Sequence, residues 1–319
     1  MTSLPDYISD RGHGEISYPV PLRINGVTAY GFVLKPERER LQRFVDSQLN
    51  AVSRGAVHYS ACPFVIHVYL DAERATSSAE TIGWLSDHES MFWVPVLQKR
   101  KGRLLPELKF WIPYLFIDQQ AGMVTGREVW GYRKSGAVIE VPEGPDSVST
   151  FRVATTIFDR FDAGTQGREA ALLRLVRKGA AVPAGTGWTG FEGAVREIMR
   201  GLEGAGVGLA MLTEQVLSAF IGSPDVHAIN LKQFRDAVDS TKACYQALVD
   251  SPCRLDRWKG GGMLPGEFEL EITACDSHQI AADLGLGAAP PGQPILVRPQ
   301  FAFWWRMDFS TQAGSIVWP

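Results

Sequence analysis

Four runs of β-branched and aromatic residues crowd the first 120 positions of this chain: AYGFVL (29–34), FVIHVYL (64–70), MFWVPVL (91–97) and LKFWIPYLFI (108–117). Each has the length of a strand, is apolar at most positions and is bounded by turn-forming residues, which predicts buried strands. One helix interrupts them. PERERLQRFVDSQL (36–49) places Pro36 in its first turn, where a missing N–H is harmless, and sets Leu41, Phe44, Val45 and Leu49 on one face. The middle of the chain changes character. REAALLRLVRK (168–178), FEGAVREIMRGL (191–202) and LAMLTEQVLSAFI (209–221) carry helical spacing, punctuated by glycine and proline at 179–190 and 201–208. Strands return at ACYQALV (243–249), EFELEIT (267–273) and ILVRPQFAFWWRMDF (295–309), and AAPPGQP (288–294) is a turn. Regular β-α alternation is absent, which excludes a doubly wound parallel sheet. The order predicts an α+β protein on antiparallel β-sheet, a single domain over 1–319 with a helical insertion at about 162–225.

Composition narrows the partners. At 319 residues, 45% apolar and 21% charged, the chain can bury a sizeable core. Net charge is −3, and the densest basic cluster, QKRKGR (98–103), has no interleaved aromatic residues for base stacking, so it reads as a solvated hairpin tip. Nucleic acid is not expected as a partner. MTSLPDYISDRGHG at the start has neither the basic nor the apolar region of a secretory signal, and no apolar run reaches the length of a membrane span. Cys62, Cys244, Cys253 and Cys275 lie far apart without C-x-x-C spacing, which points to reduced thiols in the cytoplasm rather than to zinc.

Several motifs drop out on context. GAGVG (204–208) follows a helical pattern instead of a strand, so it is not a dinucleotide loop. KGGGMLPGE (259–267) precedes a strand and reads as a hairpin turn rather than a phosphate cradle. None of the six histidines forms an H-E-x-x-H pair, and there is no G-x-S-x-G elbow. GREVWGYRKSG (126–136) remains. A lysine beside aromatic rings is ordinarily a surface lysine whose stem lies along them. A reactive one must shed its proton, and a free ammonium does so only near pH 10.4, so the fold would have to disfavour the charge by burial. If 129–135 is extended, Trp130, Tyr132 and Lys134 share one face and Arg133 the other.

PYLFIDQQAGMVTGREVWGYRKSG (113–136) resembles the core motif of the acetoacetate decarboxylase family. The matching positions are Pro113, Tyr114, Phe116, Asp118, Gly126, Arg127, Glu128, Tyr132 and, at the Schiff-base position, Lys134. ESMFWVPV (89–96) is similar to the family segment that carries an active-site glutamate, here Glu89. Trp258 and the final strand resemble its closing hairpins. The resemblance covers most of the chain outside about 160–225. It implies antiparallel strands in a closed cone-like barrel, an interior active site, homo-oligomers and no metal or organic cofactor. It also implies Lys134 and Glu89 as catalytic residues, a small oxo acid as substrate, and Phe92, Trp93, Trp130, Tyr132, Phe116 and His67 around it, with Arg127 and Glu128 pairing in support. Three positions depart from the decarboxylases: Ser135 replaces a second lysine, Val27 stands near an early-strand arginine, and His67 aligns with a second pocket glutamate. With Ser135 in place of a cation, desolvation must activate the nucleophile. The implied reaction is decarboxylation of a β-keto acid. Relatives without the second lysine include aldolase-dehydratases acting on pyruvate-like acids, and a barrel that binds small ligands without catalysis is the third possibility.

Overall fold

The computed structural model describes residues 4–9, 11–14, 16–180, 182–223 and 225–318. Its strands are β1 Leu22–Leu34, β2 Val57–Ala61, β3 Val65–Ser77, β4 Leu85–Arg100, β5 Glu107–Ile117, β6 Lys134–Gly136, β7 Val138–Glu140 and β8 Thr150–Ile157. They continue with β9 Arg168–Lys178, β10 Asp225–Arg235, β11 Ala243–Leu264, β12 Glu267–Thr273, β13 Pro294–Val297, β14 Phe301–Thr311 and β15 Ser315–Trp318. The helices are α1 Arg38–Val45, α2 Ala51–Ser53, α3 Gln120–Thr125, α4 Phe191–Gly204, α5 Glu214–Ile221 and α6 Ile280–Asp283. The result is a sheet-dominated α+β protein. Ten strands form one sheet, and because β4 pairs with both β3 and β5, the strands β4-β3-β1-β14-β11-β10-β5 run round into a ring of seven. Six of the ring pairings are antiparallel, and β5 with β10 is parallel.

Strand alternation sorts the core into two compartments. Along β3, Ile66, Val68 and Leu70 face into the ring, where they meet Met91, Leu115 and Trp305. Val65 and Tyr69 face outward, with Tyr30, Phe32 and Phe92 from neighbouring strands. A second sheet, in the order β13-β12-β9-β8-β7, lies over that outer face. Ring pairs join the two: Tyr30–Phe151 at 5.1 Å, Phe32–Phe268 at 5.1 Å and Tyr69–Phe151 at 4.4 Å between centroids. Leu41, Val45 and Leu49, the face expected of the first helix, are fully buried in this outer core; the helix continues past α1 through a π-helical turn, Asp46–Asn50.

Three expectations change. REAALLRLVRK is the strand β9, not a helix. Its Arg, Glu, Ala and Leu favour helix intrinsically, but β8 and β12 hydrogen-bond to it on both sides, and tertiary pairing overrides propensity. The helical insertion therefore reduces to α4 and α5. The stretch 295–309 is two strands in different sheets, β13 and β14. KGGGMLPGE is not a hairpin: β11 and β12 belong to different sheets, and the segment carries the chain from one to the other. Its glycines serve close approach. A Cβ on Gly262 would stand 1.9 Å from the Gly185 carbonyl oxygen, so only glycine lets residues 185–188 cross β11 there. That crossing strap leads directly into α4. The basic cluster is a hairpin tip as expected, with Gln98 of β4 opposite Glu107 of β5.

The apolar faces of α4 and α5 are set against one end of the ring. Phe220 of α5 lies 5.8 Å from Phe110 of β5, and Phe191 of α4 lies 5.7 Å from Phe220. Among the described residues no helix is long and apolar enough to cross a membrane.

Candidate active site

At the opposite end of the ring, Asp87, His88 and Glu89 follow the first two residues of β4. His88 points outward. Its backbone N–H donates to Asp118 Oδ1 at 2.9 Å, and its Nδ1 lies 2.7 Å from Asp118 Oδ2, just beyond the end of β5. Burial by itself would raise the Asp118 carboxyl, but the hydrogen bonds from His88 outweigh it and hold the group below its usual range. Bonding to Asp118 in turn raises His88. This clamp fixes the register of the strand end. By alternation, the residues flanking His88, which are Asp87 and Glu89, face the interior.

The lysine arrives by a different route from the one expected. Residues 129–135 are not continuously extended. After α3 the chain makes a π-helical turn, Gly126–Trp130, reverses at Gly131 in the left-handed region (φ 80°), and only then enters β6. Lys134 pairs with Leu115 in parallel register. The turn still delivers Trp130 and Tyr132 to the interior and sends Arg133 the other way, to Gln48 Oε1 at 2.6 Å. Gly126 leaves room for the lysine stem: a Cβ there would stand 2.6 Å from Lys134 Cε. Trp130 is anchored by its Nε1 donating to the Gln312 carbonyl at 2.9 Å, and the Tyr132 hydroxyl is 2.9 Å from Ser251 Oγ.

Lys134 Nζ donates to Glu89 Oε1 at 2.5 Å, with the two side chains 12% and 13% exposed. They stand on the wall of a cavity of about 280 Å³ that fills the ring. Asp87, Glu89 and Lys134 are the charged side chains on that wall; among the described residues no arginine or second lysine joins them. Burial, reinforced by the nearby charge of Glu89 and opposed by Lys134, pushes the Asp87 carboxyl up to about 7. The trio thus sets a lysine, a glutamate and an aspartic acid that holds its proton up to about pH 7 side by side on one wall, the residue types that acid–base catalysis uses. The Thr311 hydroxyl, also on the wall, is buried without a hydrogen-bond partner among the described residues.

Of the residues expected around the substrate, Trp93, Trp130 and Tyr132 line the cavity. Phe92, Phe116 and His67 do not: all three face the outer core, because their strands alternate and Ile66, Met91 and Leu115 take the inward positions. His67 is fully buried, stacked on Phe92 at 4.3 Å with its Nε2 3.0 Å from Ser90 Oγ. Burial lowers its pKa to about 3, so it is a neutral core histidine and not a pocket acid or base. Val27 is buried on the inner face and brings no charge there. Arg127 and Glu128 are exposed and form no ion pair with each other among the described residues. Neighbours on a helical turn diverge, and Arg127 Nη1 instead donates to the Lys134 carbonyl at 3.0 Å, bracing the lysine backbone. Asp87 and Thr311 were not anticipated. The signal for Asp87 was present, since it stands two residues before Glu89 on one strand; Thr311 comes from the far end of the chain and had none.

No protein-family model and no curated protein sequence matches the chain, whereas solved structures do match its fold. Acetoacetate decarboxylase from Legionella pneumophila superposes with a TM-score of 0.55 at 14% identity, covering 99% of this chain and 92% of that one. The enduracididine biosynthesis enzyme MppR, complexed with pyruvate, gives 0.55 at 15% identity, over 99% and 96% of the two chains. An acetoacetate decarboxylase-like enzyme from Sphingomonas wittichii RW1 gives 0.56 at 11%, over 99% and 100%. The chain shares the fold of these enzymes along its whole length.

Proposed function

We propose, from an acetoacetate decarboxylase-like fold wrapped around a lysine–glutamate pair, that this chain is a carbon–carbon lyase. In this reading it decarboxylates a β-keto acid through an imine on Lys134, and the seven-strand ring serves as the cone-like barrel of that family. The observation that carries the reading is the 2.5 Å contact between Lys134 Nζ and Glu89 Oε1 on an apolar cavity wall with no other cation among the described residues.

Glu89 takes the ammonium proton, and the freed amine attacks the substrate ketone. Asp87, protonated up to about pH 7, donates to the carbinolamine oxygen, which leaves as water. The protonated imine then draws in the electron pair of the bond between the α-carbon and the carboxylate. Carbon dioxide departs and an enamine remains. An apolar chamber solvates a carboxylate poorly and carbon dioxide well enough, so it favours this step. Protonation of the enamine carbon by Glu89, followed by hydrolysis, releases the ketone and restores Lys134, and Asp87 takes back from solvent the one proton that the overall reaction consumes. The Thr311 hydroxyl is free to donate to a substrate oxygen. MppR, of the same fold, is complexed with pyruvate. The second reading keeps the imine and lets the enamine attack an aldehyde. It is favoured by Ser135, which stands where the resemblance puts the decarboxylases' second lysine.

Incubation with acetoacetate, and separately with pyruvate, followed by borohydride reduction, gives a stable adduct on Lys134 in this reading. Carbon dioxide release marks the decarboxylase; a new conjugated chromophore with pyruvate plus an aldehyde marks the aldolase. Lys134→Ala abolishes trapping while the circular dichroism of the sheet is retained. Absence of any lysine adduct with either acid rejects the imine.

A further inference from the structure

The cavity is far larger than the chemistry at Lys134 needs. On a scale where one water requires about 10–15 Å³, its 280 Å³ is roughly three times what the heavy atoms of a four-carbon oxo acid fill. Its polarity is also one-sided. The three charged side chains, with Gln119 and Thr311, are gathered at the end where Lys134 pairs with Leu115. From there the wall runs through Met91, Trp93 and Ile112 to Phe110, and is closed by Ile198 and Phe220 of the two helices. From Leu115 back to Phe110 along β5 is five residues, roughly 16 Å at ~3.3 Å per residue. Strands of a ring tilt by about 35–45°, so this is about 12–13 Å along the sleeve, the reach of an extended aliphatic chain of about ten carbons. Among the described residues the sleeve holds no charged side chain along this length, and its buried Trp93 Nε1 is left without a partner there; it lacks the charge with which a phosphate or a second carboxylate would be bound.

We infer that the sleeve between Lys134 and the α4–α5 cap receives the unbranched aliphatic tail of the substrate, which makes the substrate a medium-chain 3-oxo acid of about eight to twelve carbons. The assignment of the 3-oxo acid rests on the imine reading above; the tail site stands on the cavity itself. Lys134 meets the C3 carbonyl, the carboxylate end lies toward Asp87 and Thr311, and the alkyl group on C3 extends toward Phe110. The reaction balances as one 3-oxo acid anion and one proton giving one methyl ketone with one carbon fewer, plus carbon dioxide. No oxidant or co-reactant enters.

Two measurements on the full chain keep the tail site and the imine separate. In the first, 1-alkanols from butanol to tetradecanol, which carry no carbonyl, are titrated against tryptophan fluorescence, to which Trp93 on the wall contributes. The dissociation constant is expected to fall about three- to fourfold per methylene and to level off near ten carbons. Ile198→Trp or Met199→Trp, each projecting an indole from α4, moves the levelling point to shorter chains; the second variant covers the case in which the first does not fold. Affinity that ignores chain length, or a levelling point that neither folded variant moves, overturns the sleeve. In the second, kcat/KM for 3-oxo acids is measured over the same lengths alongside borohydride trapping. A rise with chain length that breaks near twelve carbons, two beyond the alkanols because C1 and C2 lie outside the sleeve, with the adduct on Lys134, supports the substrate class. Trapping with a flat series overturns it and leaves the imine reading intact. Chain-length-dependent alkanol binding without any trapping rejects the imine and keeps the tail site.

Discussion

Lys134 owes its position to what its neighbours lack as much as to what they offer. Gly126 is the sharpest case, because the lysine stem occupies the space a side chain would need. Gly126→Ala is expected to displace Nζ from Glu89 and to lower kcat/KM by about 100-fold, the scale of a misplaced reacting group. The loss should appear as slower adduct formation in the trapping assay, while the unfolding midpoint stays close to wild type. Asp87 gives a pH signature. Its carboxyl titrates near 7 in the fold and near 3.9 in an unfolded chain. Between those values the fold holds a proton that the unfolded chain has released, so Asp87 costs stability progressively as pH rises from about 4 to 7. The gap in unfolding free energy between Asp87→Asn and wild type should therefore open across that window, in favour of the variant, by about 2–3 kcal/mol. Denaturant titrations at pH 4.5 and 8 test it. The same substitution is expected to remove a fall in kcat/KM above about pH 7; a profile unchanged by it would exclude Asp87 as the acid.

The strap before α4 and the long strand β11 show how one element depends on another. Trp188 N donates to the Gly261 carbonyl at 3.1 Å, and Trp258 Nε1 donates back to the Trp188 carbonyl at 2.8 Å. These bonds hold the strap on β11 and so set where α4 begins over the ring. Gly262→Ala forces a Cβ into the Gly185 carbonyl. It is expected to cost about 2–3 kcal/mol, in the range of overpacking, and to loosen the α4–α5 cap first. Hydrogen exchange should show that as faster amide exchange in 191–221 than in β3 and β4. Equal effects in both would place the strain elsewhere. The outer sheet depends on aromatic contact in the same way, through Phe151, which touches Tyr30, Phe32 and Tyr69.

Among the described residues, fully buried charge is confined to Arg177, whose guanidinium donates to the Val148 and Pro265 carbonyls, and to the pair of Lys109 with Asp250. Lys109 Nζ lies 2.9 Å from Asp250 Oδ2, with the side chains 5% and 7% exposed, and His227 Nδ1 lies 2.7 Å from the other carboxylate oxygen. Burial would raise Asp250, but His227 and Lys109 outweigh it and hold the carboxyl low. This cluster ties β5 to β11 and β10 across the parallel step of the ring. Removing one member of a buried pair strands the other, so Lys109→Met is expected to cost about 3–5 kcal/mol, read as a lower denaturant midpoint. A loss under about 1 kcal/mol would mean that His227 alone satisfies Asp250.

The residues themselves determined the strand runs, the face of the first helix and the turn at 98–103, because these follow from local spacing and alternation; Glu89 and Lys134, 45 positions apart, were linked beforehand only by the resemblance to a family. Tertiary structure decided the rest. Whether REAALLRLVRK is helix or strand depended on β8 and β12 waiting on either side. Which of His67, Phe92 and Trp93 saw the cavity depended on register, since one step along a strand exchanges the two faces. Asp87 became a neutral-pH acid, and the ring a long apolar sleeve, only when residues distant in the chain closed around them, because desolvation and enclosure belong to the packed whole and leave no mark on local sequence.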